Sequence, residues 1–215
     1  MSLNAVRPAS PMLYFPGMST EALPLDRSAT YADLEALPPN VKGEIIDGVL
    51  YTQSRPRPRH AHSSWVIGGE LYDPYYRGRG GPGGWWILEE PGIELPGSPE
   101  IAPDLAGWRR ERMPELPPDD PIRVVPDWVC EVLSPTNRTY DRATKLPYYA
   151  RVGVGYLWLV DPHARTVEVK RLASGFWTEI AVFAEAATMR AEPFPDAAID
   201  LALLWLKPAS GEPSR

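Results

Sequence analysis

Asp127-Trp128-Val129-Cys130-Glu131-Val132-Leu133-Ser134-Pro135 is an apolar run with a single carboxylate at its centre, closed by turn-forming residues at both ends. It reads as a buried strand. Side chains alternate along a strand, so Val129, Glu131 and Leu133 share one face while Trp128, Cys130 and Val132 share the other. A glutamate with hydrocarbon on both sides costs several kcal/mol, at least roughly, if its charge is left alone, so Glu131 needs a cation, a proton or a hydrogen-bond partner. That requirement makes it a site candidate.

The chain has 215 residues, of which 44% are hydrophobic and 23% charged, enough for one full core and too few for two. A single domain over residues 28–207 is predicted, preceded by a proline-dotted arm, 1–27, and followed by a short tail, 208–215. A net charge of -6 argues against a uniformly nucleic-acid-coating surface, although arginines cluster locally. The lone Cys130 has no second cysteine to pair with, which fits a small core residue in a reducing compartment. No apolar stretch is long enough for a secretion signal or a membrane span, so a soluble, cytoplasmic protein without a membrane partner is expected. The 26 prolines and 17 glycines gather between apolar segments, as loops do, and show no repeat period.

Working outward, Thr30 caps a short helix through Leu37, with Asp33 three residues on. Residues 43–51 carry two β-rich runs around Asp47-Gly48, the sequence a tight hairpin prefers. Alternating prolines predict an irregular Arg55–His62 segment, then a helix from Ser63 through Tyr72 with Trp65, Ile67 or Gly68, and Leu71 inward. Strands are predicted at 85–88, 93–95 and 104–108, then the Glu131 strand, a helix over 145–152, and strands at 156–160 and 166–172 joined by Asp161-Pro162. This order suggests an α/β domain with a mixed β-sheet flanked by helices.

Three acids recur at the ends or centres of strands in apolar company: Glu44, Asp104 and Glu131. Magnesium takes one or two carboxylates, several waters and a substrate phosphate, and Asp104 and Glu131 on neighbouring strands would supply that pair. Lys145, 14 positions after Glu131, would orient the attacking water or offset charge at phosphorus. Such a set describes phosphodiester hydrolysis. The bland alternatives are a Glu131 paired with an arginine, an Asp104 capping a turn, a solvated Glu44, and a surface Lys145 paired with Asp141.

Pro103-Asp104, Glu131-Val132-Leu133-Ser134-Pro135, Asp141-Arg142, Lys145-Leu146, Tyr149-Ala150-Arg151-Val152-Gly153-Val154 and Leu157-Trp158-Leu159-Val160-Asp161-Pro162, with Glu44-Ile45-Ile46-Asp47-Gly48 upstream, resemble the Uma family of restriction endonucleases in the PD-(D/E)XK nuclease superfamily. The resemblance spans about residues 30–206 and rests on the whole ordered set, since each motif alone is weak. It implies a restriction-endonuclease-like core with additional N-terminal hairpin strands, Asp104 and Glu131 as metal ligands, and Glu44 as an added ligand or water-orienting group. It also implies a Mg2+ cofactor, for which Mn2+ can substitute, a DNA substrate and a homodimer. Leu133 stands where the superfamily pattern has lysine, and Lys145 looks like the migrated replacement. Only four of the 22 basic residues are lysine, so one at this place is informative. Pro147 requires the helix to begin near Thr144 or to kink.

Arg55, Arg57, Arg59 and His60 form a basic string able to run along a phosphate backbone, or else a solvated loop. Arg109 and Arg110, with Arg112, Arg77 and Arg79, could line the same cleft, and His62 could touch substrate. Trp85, Trp128, Trp158 and Trp205 lie in apolar runs and are read as core, not as base-stacking platforms. Zinc-ligand spacing, a phosphate-cradling glycine motif and a serine nucleophile elbow are missing from the sequence. The competing expectations are a catalytically inactive nucleic-acid or protein interaction module on the same fold, and hydrolysis of some other phosphoester.

Overall fold

The computed structural model describes residues 20–118 and 121–207. Its first half contains β1 (Glu21–Leu23), α1 (Tyr31–Glu35), β2 (Val41–Ile46), β3 (Val49–Ser54), α2 (Pro58–Leu71), β4 (Trp85–Glu89), β5 (Ile93–Leu95), β6 (Ser98–Ile101) and β7 (Leu105–Arg109). Its second half contains β8 (Trp128–Val132), α3 (Arg138–Tyr140), α4 (Leu146–Val152), β9 (Tyr156–Asp161), β10 (Thr166–Ala173), β11 (Phe176–Ala184), β12 (Thr188–Ala191) and β13 (Phe194–Asp200). Six strands form a mixed sheet of order β11-β10-β9-β8-β7-β4, five form a second sheet of order β1-β3-β2-β6-β5, and β12 and β13 make a ribbon.

β8 is buried along its whole length, and its alternation holds as the sequence requires. Trp128, Cys130 and Val132 face one core with Ile67 and Leu71 of α2 and Phe194 of β13. Val129 and Leu133 face the other, with Tyr140, Leu146, Tyr148 and Tyr149 of α3 and α4. Within the large sheet only β8 and β9 run parallel. A parallel pair needs a long crossover, and α3 and α4 supply it by folding back over the Glu131 face.

The crossover departs from the expected helix over 145–152. It begins at Arg138 and passes through a π-helical turn, Asp141–Lys145, before α4. Pro147 has no N–H to donate and its ring would press on the Ala143 carbonyl in a regular helix; widening the preceding turn relieves that clash. α2 likewise starts earlier than expected. Pro58 occupies its first turn, where a missing N–H is harmless, so more than half of the segment read as irregular is helical. Its buried positions are His60, Ser63, Ser64, Ile67 and Leu71, whereas Trp65, expected inside, is 70% exposed.

The hairpin β2–β3 turns at Asp47-Gly48 with both residues at positive φ, 52° and 76°. Residues 21–23, assigned to the arm, pair with β3 as an edge strand; residues 1–19 and the 208–215 tail lie outside the described residues. Gly107 also has a packing reason: a Cβ there would stand 3.1 Å from the Trp128 ring and 3.3 Å from that of Trp85. Among the described residues no helix is long and apolar enough to cross a membrane.

Phe194 is fully buried, and its ring lies 4.7–5.6 Å from those of Tyr75, Trp85, Trp128 and Trp158. Phe194→Ala leaves a cavity among four aromatic rings, so urea titration is expected to show a loss of about 3–5 kcal/mol. A loss under about 1 kcal/mol would mean that these rings do not form the main core.

Candidate active site

The register that pairs Leu105 of β7 with Cys130 of β8 sets Asp104, the next residue, opposite Glu131. Partners across an antiparallel pair share a face, so both carboxyls project from the same end of the sheet. Both line a cavity of about 480 Å³. His60, Asp104, Glu131, Leu133, Asn137, Asp141 and Lys145 form its buried part, while Lys42, Arg55, Arg57 and Arg59 flank it closer to solvent.

Lys145 reaches this floor from the wide turn of the crossover. Its Nζ is 2.7 Å from Glu131 Oε1 and 3.2 Å from Glu44 Oε1, and all three side chains are almost fully buried. Tyr149 donates its hydroxyl to the same Glu131 oxygen at 2.6 Å, and Tyr140 donates to Glu44 Oε2 at 2.8 Å. Glu44 Oε1 also accepts the Ala102 N–H at 2.9 Å, so protein donors engage both of its oxygens. Asp104 is held through Oδ2, which accepts the Val132 N–H at 2.7 Å and lies 3.0 Å from His60 Nε2.

Four buried carboxyls, Glu44, Asp104, Glu131 and Asp141, face two buried bases, Lys145 and His60. The electrostatics follow from that imbalance. Burial raises the Glu131 pKa, Lys145 pulls it down, and Asp104 and Glu44 push it up again, leaving it at about 7. Burial, followed by the charge of Glu131, holds the Asp141 carboxyl well above the usual range. Burial opposes charge on Asp104, but His60 and Lys145 outweigh it and the pKa falls. Burial likewise opposes the His60 imidazolium, and Asp104 outweighs that and raises it. Lys145, desolvated yet surrounded by Glu131, Glu44 and Asp141, stays protonated with its pKa well above normal.

The donor set suits a hard divalent cation that keeps its own waters. The contacts described above fall on Oδ2 of Asp104 and Oε1 of Glu131, which leaves the other oxygen of each carboxylate for a cation. Among the described residues no three His, Cys, Asp or Glu side chains converge into a complete cage. Magnesium does not require one, because one or two carboxylates, water and phosphate complete its shell.

The expected basic residues divide into two groups. Arg55, Arg57 and Arg59 border the cavity, with Arg55 donating to the Pro39 carbonyl and Arg59 to that of Leu206. His60 is a buried wall residue, and its Nδ1 has no partner among the described residues. Arg109 and Arg110 do not line this cleft. They border a separate pocket at the far end of β7, where Arg109 lies over Trp85 and Arg110 stacks on Trp86 while donating to the carbonyls of Trp85 and Tyr76. Arg112 pairs with Asp127, Arg77 lies beside Asp73, and His62 contacts the Leu203 carbonyl. Asp161 has the expected turn duty, accepting the N–H groups of His163 and Ala164.

Asp141, Tyr140 and Tyr149 were not among the sequence candidates. Asp141, Lys145 and Tyr149 recur at intervals of four residues, the one pattern that could have marked a shared face.

A mixed sheet with two acids meeting across its central strands, and helices crossing over them, is a nuclease-like α/β domain. The same fold occurs in a crystal structure described as a putative nuclease belonging to DUF820 from Anabaena variabilis ATCC 29413, with TM-score 0.64 and 20% identity over 82% of this chain and 97% of that one. The chain belongs to the family described as "Uma2: Putative restriction endonuclease", whose model matches residues 29–203. No functionally curated protein matches it.

Two stability measurements probe the cluster. Lys145→Met strands Glu44 and Glu131 without a counter-charge and is expected to cost about 3–5 kcal/mol near neutral pH. Glu131 binds its proton more tightly when folded, at about 7, than at its ordinary 4.5, so its contribution is full below the lower value and declines as pH rises through the higher one. Glu131→Gln should therefore flatten the wild-type loss of stability across that window; an unchanged pH slope in urea titrations would refute the raised proton affinity that burial and the neighbouring carboxylates give Glu131.

Proposed function

We propose that this protein is a magnesium-dependent endonuclease that hydrolyses phosphodiester bonds in DNA. The family description supports nuclease chemistry in general. The observation that carries the endonuclease reading is the delivery of Lys145 Nζ to Glu131 from the crossover, where the following position on the Glu131 face is the buried hydrocarbon Leu133.

Asp104 and Glu131 would hold Mg2+, which when bound polarises a phosphoryl oxygen and makes water more acidic. Val132 N–H and His60 fix the orientation of Asp104, and Tyr149 fixes that of Glu131. An ammonium has three donors, and Glu131 and Glu44 take two from Lys145, leaving one for an oxygen of the scissile phosphate. Glu44 acts in support: with both oxygens held by protein donors, it keeps Lys145 in place and does not reach substrate. Arg55, Arg57 and Arg59 offset charge on the flanking phosphates. Cutting both strands takes two such centres, so a homodimer is the working unit proposed.

Incubation with supercoiled plasmid and Mg2+ tests this directly. Asp104→Ala, Glu131→Ala and Lys145→Ala should each lower nicking at least roughly 100-fold, a loss of about 3 kcal/mol. Nicking that survives all three substitutions sinks the assignment, and salt-sensitive binding with no cutting supports the inactive interaction module instead. Arg57→Ala should leave single-turnover cleavage intact while reducing the slope of log affinity against log salt by about 1.

A further inference from the structure

We propose that Asp141 is the proton donor to the leaving oxygen, a catalytic residue additional to those assigned above; the inference rests on the nuclease reading of the same cavity. One buried carboxyl oxygen of the cavity lacks a partner. Asp141 is 1% exposed, it lines the cavity, and its Oδ2 is sealed from solvent with no hydrogen bond among the described residues. Structures seldom tolerate a buried carboxyl left unsatisfied, because the desolvation cost is not recovered unless a ligand, water or reacting group takes up the contact. Every other acid of the cluster has a hydrogen-bonded anchor: Val132 N–H for Asp104, Tyr149 for Glu131, and Ala102 N–H with Tyr140 for Glu44.

Position supports the role. Asp141 and Lys145 bound one wide helical turn, and both line the same cavity. Substrate held by Lys145 at a phosphoryl oxygen would bring an ester oxygen of that phosphate close to the start of the turn. The charged groups around Asp141 are Glu131, Lys145, Asp104 and Glu44; burial and the three carboxylates outweigh the pull of the Lys145 ammonium and favour the protonated carboxyl, the form a proton donor needs.

The water oxygen bonds to phosphorus while the bond from phosphorus to the sugar oxygen breaks, with that bond's electron pair remaining on the sugar oxygen. The sugar oxygen takes the Asp141 proton. The proton lost by water escapes through the cavity mouth to bulk solvent, from which Asp141 is reprotonated.

Asp141→Asn keeps the shape and neutrality of the side chain but has no acidic proton, so its melting temperature should match or exceed that of the wild type. On DNA with Mg2+ it should lose roughly 100-fold in turnover. On bis(4-nitrophenyl) phosphate, whose leaving group needs no proton, it should remain within about threefold of the wild type. An equal loss on both substrates, or no loss on DNA, overturns the proton-donor role while leaving the nuclease reading intact. A wild type inactive on both substrates overturns both. Independently of any variant, wild-type rates over a series of phosphodiesters should depend only weakly on leaving-group basicity; a steep dependence overturns the role.

Discussion

The Lys145 ammonium shared between Glu44 and Glu131 is the constraint around which the molecule is assembled. Glu44 belongs to β2 in the five-stranded sheet, Glu131 to β8 in the six-stranded sheet, and Lys145 to the crossover between β8 and β9. One buried point charge therefore ties three separately formed elements. Removing the ammonium leaves two carboxylates in hydrocarbon without their counter-charge, which costs far more than a surface ion pair contributes. Tyr140 and Ala102 reinforce the same joint by bringing the crossover and the stretch after β6 onto Glu44, and Arg151 of α4 pairs at 2.7 Å with Asp47 at the hairpin tip.

The crossover gives this joint its geometry. Parallel pairing of β8 with β9 obliges the intervening chain to climb over one sheet face and return, and the face it covers is the one that carries Glu131 and Leu133. A lysine from above can then approach Glu131 without occupying a strand position. The wide turn before Pro147 lets Asp141 and Lys145 line one cavity together. Packing and electrostatics thus share a cause: the helices that seal the second core also desolvate the carboxyls beneath them.

Much of this was legible in the chain. The parity of the Glu131 strand, the Asp47-Gly48 turn and the candidacy of Asp104, Glu131 and Glu44 follow from alternation, turn chemistry and isolated charge in apolar company, while Lys145 is singled out mainly by the family resemblance. What escaped depends on distance in space. Arg109 lies five residues from Asp104 and seemed near the site, yet an extended chain advances about 3.3 Å per residue, which carries it roughly 16 Å away to the other end of the strand. Asp141 looked like half of an exposed helical ion pair because nothing local shows that a hairpin ninety-odd residues earlier folds against it. His60 was a candidate, but its buried, helical setting was hidden by the alternating prolines, since Pro58 reads equally well as a loop residue or as the first residue of a helix. The exposed side of α2, with Trp65, could not be told from its buried side until the helix start was fixed.

The division of labour between the two basic residue types follows from the same physics. Guanidinium is planar and weakly hydrated, with donors spread across a fork that suits flat, bidentate contacts on the outside of a cleft, and Arg55, Arg57 and Arg59 occupy that place. The floor demands the opposite: a compact charge able to sit 2.7 Å from one carboxylate and 3.2 Å from another, on a stem long enough to descend from a helix. Among 22 basic residues the chain has few lysines. Leu133 can then seal the second core with hydrocarbon, because the positive charge that a strand position would have supplied arrives from the helix above it.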